Sequence, residues 1–221
     1  MIRAAVFLAA IPAISFSPSY AQFQCSSDSF SVTSEQDLAP QICAMAADAR
    51  AELSTCGIDL DHSIEIEIVN ALPIGCVGQY HCDEARITLL SMDAMQRQLE
   101  EGHPFSTVEP AAYFYSVLVH EIAHASMDGM PCPFSSCVSG QEYVAYAMQM
   151  RSLTIEARQQ LLTRPDFNRP IETEEINPII AQLAPDIFMQ KAWLHFSQQE
   201  DPCGFIGQVV SGDFLFDNAF Q

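Results

Sequence analysis

The chain has 221 residues, 49% of them hydrophobic, with 28 Asp and Glu against 9 Lys and Arg, a formal net charge of −19. A chain this acidic, with no Lys or Arg cluster, is repelled by phosphate backbones and anionic lipid, so nucleic acid and membrane surfaces are poor partners. Length and apolar content suit one compact domain around one core, and no repeat, low-complexity tract or linker argues for a second.

The first residues, Met1-Ile2-Arg3, lead into an apolar run from Ala4 to Ile14 and a polar stretch ending Ser19-Tyr20-Ala21. This reads as a secretory signal over residues 1–21 with small residues at the cleavage positions, so the mature chain is expected to begin at Gln22 and to be periplasmic or secreted. The run is too short for a permanent span, so no stable membrane anchor is expected after signal removal. All eight cysteines lie beyond the cleavage site, and an even number in an exported chain favours disulfides. Short loops suggest Cys76–Cys82 and Cys132–Cys137, and the other four cysteines are left unassigned. A cysteine zinc site is disfavoured because no close pair completes a tetrad.

Residues 35–53 carry an Ala-rich face and read as a helix. From Ser63 to Val69, Ile64, Ile66 and Ile68 alternate with Glu65 and Glu67, the pattern of a half-buried strand in an antiparallel or mixed sheet. Arg86 to Leu90 reads as a second strand and Ser91 to Glu101 as a helix. A longer helix is predicted from Ser106 to Met127. Ser106 and Glu109 have capping-box spacing, Pro110 falls in the first turn, and Asp128-Gly129 reads as a stop. On it Tyr113, Val117, His120, His124 and Met127 share one stripe, which turns the histidines inward.

That helix contains His120-Glu121-Ile122-Ala123-His124. Residues four apart in a helix lie nearly above one another, so both imidazoles can reach one metal while Glu121 projects about 100° round the barrel. A catalytic zinc takes three protein ligands and keeps one open position. Three and six residues past His124 stand Met127 and Met130, so the glycine and histidine of a metzincin are absent. A second helix begins near Gly140, and its Glu142 follows His124 with seventeen residues between. The competing reading is a helix with one histidine satisfied in the core and Glu142 as a surface carboxylate.

His120, Glu121, His124 and Glu142 together resemble the gluzincins, zinc peptidases in which HExxH on one helix is completed by a Glu on the next. The likeness covers roughly Ser106 to Arg151. It implies an α+β fold, a single zincin-like metalloprotease domain over residues 22–221 with a small mixed or antiparallel sheet, a predominantly helical remainder and disulfides. It implies one zinc ion held by His120, His124 and Glu142, Glu121 as general base, and a peptide or protein substrate. It also makes Ile87 to Leu90 a candidate substrate edge. Thermolysin-like members carry an acidic residue one turn after the ligand Glu, whereas this chain has Tyr146, which either steadies a histidine or packs in the core. Tyr143, Tyr146, Tyr113 and His195 are the candidates for stabilising an oxyanion.

His62, His81 and His103 read as surface or loop residues, and Asp59 with Asp61, or Asp213 with Asp217, as solvated carboxylates rather than calcium ligands. From Thr154 onward the chain reads as short helices divided by Pro165, Pro170, Pro178 and Pro185. Asp186 to Ser197 is amphipathic through Phe188, Met189, Ala192, Trp193 and Phe196, and the tail from Gly204 is apolar enough to pack on the body. The expected function is an exported zinc-dependent metallopeptidase. The alternative is a catalytically inactive zincin-like exported binding or scaffold protein.

Overall fold

The computed structural model describes residues 20–26, 29–35, 37–99, 103–162 and 169–217. The expected signal peptide lies outside these residues apart from Tyr20 and Ala21, which open the first strand. The fold is α+β, with one five-stranded mixed sheet and a helical remainder.

The strands are β1 (Tyr20–Gln24), β2 (Phe30–Glu35), β3 (Ile64–Val69), β4 (Gly78–His81) and β5 (Arg86–Leu90), and their order across the sheet is β1-β2-β3-β5-β4. The three inner strands are parallel and the two outer ones antiparallel to their neighbours. Parallel pairing of β2 with β3 needs a crossover, and the helix α1 (Ala39–Ser54) supplies it. In β3 the three isoleucines are buried, and the alternating glutamates find partners on the neighbouring strands. Glu65 accepts from Thr33 Oγ1 at 2.9 Å and Glu67 from Arg86 Nη1 at 2.8 Å.

The expectation that Ile87 to Leu90 forms the sheet edge is corrected. β5 lies between β3 and β4, with its last four residues buried, and the edge is β4. The reading Gly-Gln-Tyr-His has no apolar alternation, so β4 gives no strand signal of its own and forms by pairing with β5.

Helix α2 (Met92–Gln98) is capped by Ser91 Oγ, which accepts from Ala94 N. The long helix α3 (Pro110–Ser126) starts four residues later than predicted. Ser106 belongs to a separate 3-10 turn, Pro104–Thr107, and the Glu109 carboxylate caps α3 by accepting from Ala111 N at 2.9 Å and Ala112 N at 3.1 Å. Proline at the first helical position costs no hydrogen bond. Gly129, at φ +79°, turns the chain out of the helix as expected. The remaining helices are α4 (Val138–Ser152), α5 (Ile155–Leu161), α6 (Pro178–Leu183), α7 (Pro185–Ser197) and α8 (Pro202–Val210). α3 packs along α4, which in turn packs on α7 and α8, while α1 and β4 flank α3.

Three disulfides join Cys25 to Cys43, Cys56 to Cys203 and Cys132 to Cys137. The expected Cys132–Cys137 bridge is present and sits immediately before α4. The expected Cys76–Cys82 bridge is not, and both thiols are free. The strand β4 lies between them. Its three extended steps hold its ends roughly 10 Å apart, beyond the reach of a disulfide. The tail does pack on the body. Phe216 is buried, and Asp217 Oδ1 accepts from Ser139 Oγ at 2.6 Å and Ser139 N at 3.3 Å, supplying the start of α4 with the cap that Cys137 lacks.

Candidate metal centre

His120 and His124 lie one turn apart on α3 and face α4, where Glu142 meets them. Their Nε2 atoms are 3.1 Å apart. Glu142 Oε2 lies 3.7 Å from His120 Nε2, and Glu142 Oε1 lies 3.6 Å from His124 Nε2. All three ligand atoms fall within 4.8 Å of one another. A tetrahedral zinc with bonds of about 2.0–2.1 Å needs ligand atoms roughly 3.3 Å apart, so the spacing and the two-nitrogen, one-oxygen donor set fit such an ion. Among the described residues no other group of three His, Cys, Asp or Glu side chains converges in this way.

The electrostatics suit ligation. Burial, and then the neighbouring His124, hold His120 well below the usual imidazole range, and burial lowers His124 to about 4. Both rings are therefore neutral at physiological pH, the form that binds metal. Burial raises Glu142 to about 7, and burial with the Glu142 charge raises Glu121 to about 8. A divalent cation at the three ligand atoms reverses the penalty on both carboxylates.

Around the ligands, α4 presents Tyr146 and Gln149 at helical spacing from Glu142. The Tyr146 ring meets His120 edge-on at 4.5 Å and also touches Phe188, so it packs between the histidine and the core. Gln149 lies beside His120 and donates to Ser116 Oγ at 3.4 Å. His120 Nδ1 is buried with no hydrogen-bond partner.

Glu121 faces the edge strand. The hydrogen bond from Leu90 N to Val77 O, followed in register by Gly78 opposite Leu89, turns the peptide groups of Gly78 and Tyr80 to the free side of β4. There Tyr80 N–H donates to the Glu121 carboxylate. A Cβ on Gly78 would stand 2.7 Å from Glu121 Oε1 and 2.8 Å from Leu89 Cδ2, so glycine here makes room for the carboxylate. Cys76 donates to Gly78 O at 3.1 Å, and its thiol is raised by burial and by the Glu121 charge. Tyr80 also reaches past α3, where its hydroxyl donates to Asp128 Oδ2 at 2.8 Å.

The cluster opens on a cavity of about 1130 Å³ whose lining includes Gly78, Tyr80, Arg97, Phe105, Tyr113, His120, Glu121, His124, Glu142, Tyr146 and Asp186. Two of the four oxyanion candidates, Tyr113 and Tyr146, line it; burial pushes Tyr113 up to about 12 and raises Tyr146 also, keeping both hydroxyls protonated. The other two are corrected. Tyr143 is the next residue on α4 and points about 100° away from Glu142. Its hydroxyl meets His195 Nδ1 at 3.0 Å among Phe205 and Phe216, and neither residue lines the cavity. His62 pairs with Asp61 and His81 with Thr88, whereas His103 stands on the cavity wall with its Nδ1 accepting from Phe105 N.

The profile of a family of unknown function, DUF6639, matches residues 30–219. The chain belongs to that family. No curated protein and no solved structure matches it. The stretch assigned to DUF6639 contains the whole cluster, from the edge strand and the two helices that carry it to the tail that caps α4.

Two measurements probe this arrangement. Below about pH 7 a metal must displace a proton from Glu142, while the lowered histidines need no deprotonation until near pH 4. Zinc affinity, measured by chelator competition, is therefore expected to weaken by roughly tenfold per pH unit as pH falls below about 7. A dependence steeper than tenfold per unit between pH 7 and 5 would instead mean that the histidines also lose protons there, as solvated imidazoles do. Gly78→Ala is expected to lower thermal stability by about 1–3 kcal/mol through overpacking while retaining zinc. Unchanged stability would contradict the cradle drawn for Glu121.

Proposed function

We propose that this protein is an exported zinc-dependent metallopeptidase that hydrolyses peptide bonds. The observation that carries the reading is the convergence of His120, His124 and Glu142 with a fourth side chain, Glu121, beside them on the same cavity. A purely structural zinc site has no use for a carboxylate between its histidines. Three disulfides support an oxidising compartment and hence export, as the N-terminal residues do.

His120 and His124, neutral through burial, and Glu142 would hold the ion. Zinc there supplies Lewis acidity, bringing the pKa of a bound water from 15.7 towards about 7 and polarising a carbonyl. The chain's own residues do the rest. Glu121 accepts a proton from the attacking water and returns it to the departing amine. Tyr80 N–H and the space over Gly78 keep its carboxylate aimed into the cavity. The protonated hydroxyls of Tyr113 and Tyr146 are the donors available to a developing oxyanion, an interaction worth about 3–4 kcal/mol in other hydrolases. The cavity is large enough for several residues of an extended peptide, and the −19 charge draws cationic molecules from solution.

Cleavage sites in a diverse peptide mixture, mapped by mass spectrometry, test the proposal when zinc-loaded protein is compared with its Glu121→Gln variant. Cuts by the native protein, at least roughly a hundredfold slower in the variant, are expected. A zinc-loaded native protein that cuts nothing, or a variant that cuts equally well, would leave a binding or scaffold role in its place.

A further inference from the structure

In this acidic chain the basic side chains are scarce, and all but one of those described are engaged. Arg50 donates to Ser29 Oγ, Arg86 to Glu67 and Glu84, Arg151 to Thr55 Oγ1, and Arg158 to the Leu153 carbonyl. Arg169 and Lys191 share Glu175. The exception is Arg97, which among the described residues makes no hydrogen bond or ion pair and is the only one to bring a guanidinium or ammonium group to the lining of the cavity. The carboxylates of that lining do not neutralise it, and Asp128 is taken by Tyr80.

Its place along the cavity can be specified. Arg97 also borders a smaller pocket together with Phe114, which puts it at the N-terminal end of α3. Phe105 and Tyr113, stacked at 4.5 Å, form an aromatic wall at the same end. Tyr113 precedes His120 by seven residues, roughly 10 Å along the helix, and an extended peptide covers that distance in about three residues. An unpaired guanidinium is suited to gripping a carboxylate through two parallel hydrogen bonds.

We infer that Arg97 binds a carboxylate of the peptide substrate within the cavity onto which His120, His124 and Glu142 open. The identity of the ligand as a peptide rests on the metallopeptidase reading. The carboxylate is either the free C-terminus of a short peptide or an Asp or Glu side chain within a longer one. The first source makes the protein an enzyme that trims short pieces from chain ends, and the second makes it one with an acidic subsite. The aromatic pair on the same cavity wall favours an apolar side chain elsewhere in the bound peptide.

Binding rather than turnover provides the test, so that failure of this inference and failure of the peptidase reading are separable. Zinc-loaded Glu121→Gln protein, with all three metal ligands intact, is titrated calorimetrically with neutral tri- to hexapeptides bearing a free C-terminus, with the same peptides amidated, and with amidated peptides carrying one Glu. The titrations are repeated in the Arg97→Gln background and in Arg97→Lys, which keeps the charge and loses the fork. Arg97 is exposed on α2, so these variants retain the fold, which circular dichroism and zinc content check. Peptides with a carboxylate are expected to bind roughly tenfold or more tighter than their amidated neutral counterparts. That preference disappears in Arg97→Gln and is partly kept in Arg97→Lys, while amidated neutral peptides bind all three proteins alike. Preference for the free C-terminus identifies the first source, and preference for amidated Glu peptides the second. Equal binding with and without a carboxylate, a preference that survives Arg97→Gln, or no peptide binding at all would overturn the inference. None of these results alters what the cleavage comparison says about catalysis.

Discussion

The structure turns on the withdrawal from water of two imidazoles and Glu142 in the seam between α3 and α4, with Glu121 buried beside them against β4. Such groups are costly to take out of water, and the cost shows in lowered histidines and raised glutamates. Two imidazole nitrogens 3.1 Å apart can share one proton in a hydrogen bond, but the Glu142 oxygens at 3.6 and 3.7 Å stand beyond hydrogen-bond reach of either. A shared divalent cation would satisfy all three side chains together. The donor set and its spacing thus account for a cluster that packing alone does not explain.

The surrounding fold fixes the distances within that seam. Glu109 and Pro110 set the start of α3, and Asp217, arriving from the far end of the chain, caps the start of α4. The Cys132–Cys137 bridge shortens the connection between the two helices, and Cys56–Cys203 ties the end of α1 to α8 across 147 residues. On the opposite side the edge strand touches Glu121 through the Tyr80 amide and the missing side chain of Gly78. His120, His124 and Glu142 are thereby held from one side and Glu121 from the other, by elements distant in sequence. Rigid support of this kind is what catalytic groups require.

Much of the centre was legible because helices translate sequence spacing directly into geometry. His120 and His124 had to share a face, and the apolar stripe that includes Tyr113 and Val117 had to turn that face inward. Glu142 was legible only as a carboxylate early in the next helix, since nothing local determines how two helices pack. The β3 alternation, β5 and the amphipathic α7 were visible for the same periodic reasons. The edge strand was not, because Gly78 to His81 carry no pattern and acquire strand geometry from β5. With it were hidden Gly78, Cys76 and Tyr80, whose roles depend on contact with a residue some forty positions away. The Cys76–Cys82 pairing failed for a related reason, as short loops favour bridges only when the intervening chain turns back. Tyr143 failed because one helical step rotates it away from Glu142, and His195 because α7 packs on α4 so that its ring meets Tyr143 rather than the cavity.

Zinc K-edge X-ray absorption on the zinc-loaded protein, beside the Glu142→Ala variant, examines the shared ligand set most directly. Two imidazole nitrogens and one carboxylate oxygen at about 2.0–2.1 Å, with one further light-atom position, are what the arrangement of His120, His124 and Glu142 requires, and the variant should lose one oxygen scatterer and bind zinc more weakly. A sulfur shell at about 2.3 Å, or a spectrum unchanged by removal of Glu142, would mean that the metal is held elsewhere and that this seam is not its site.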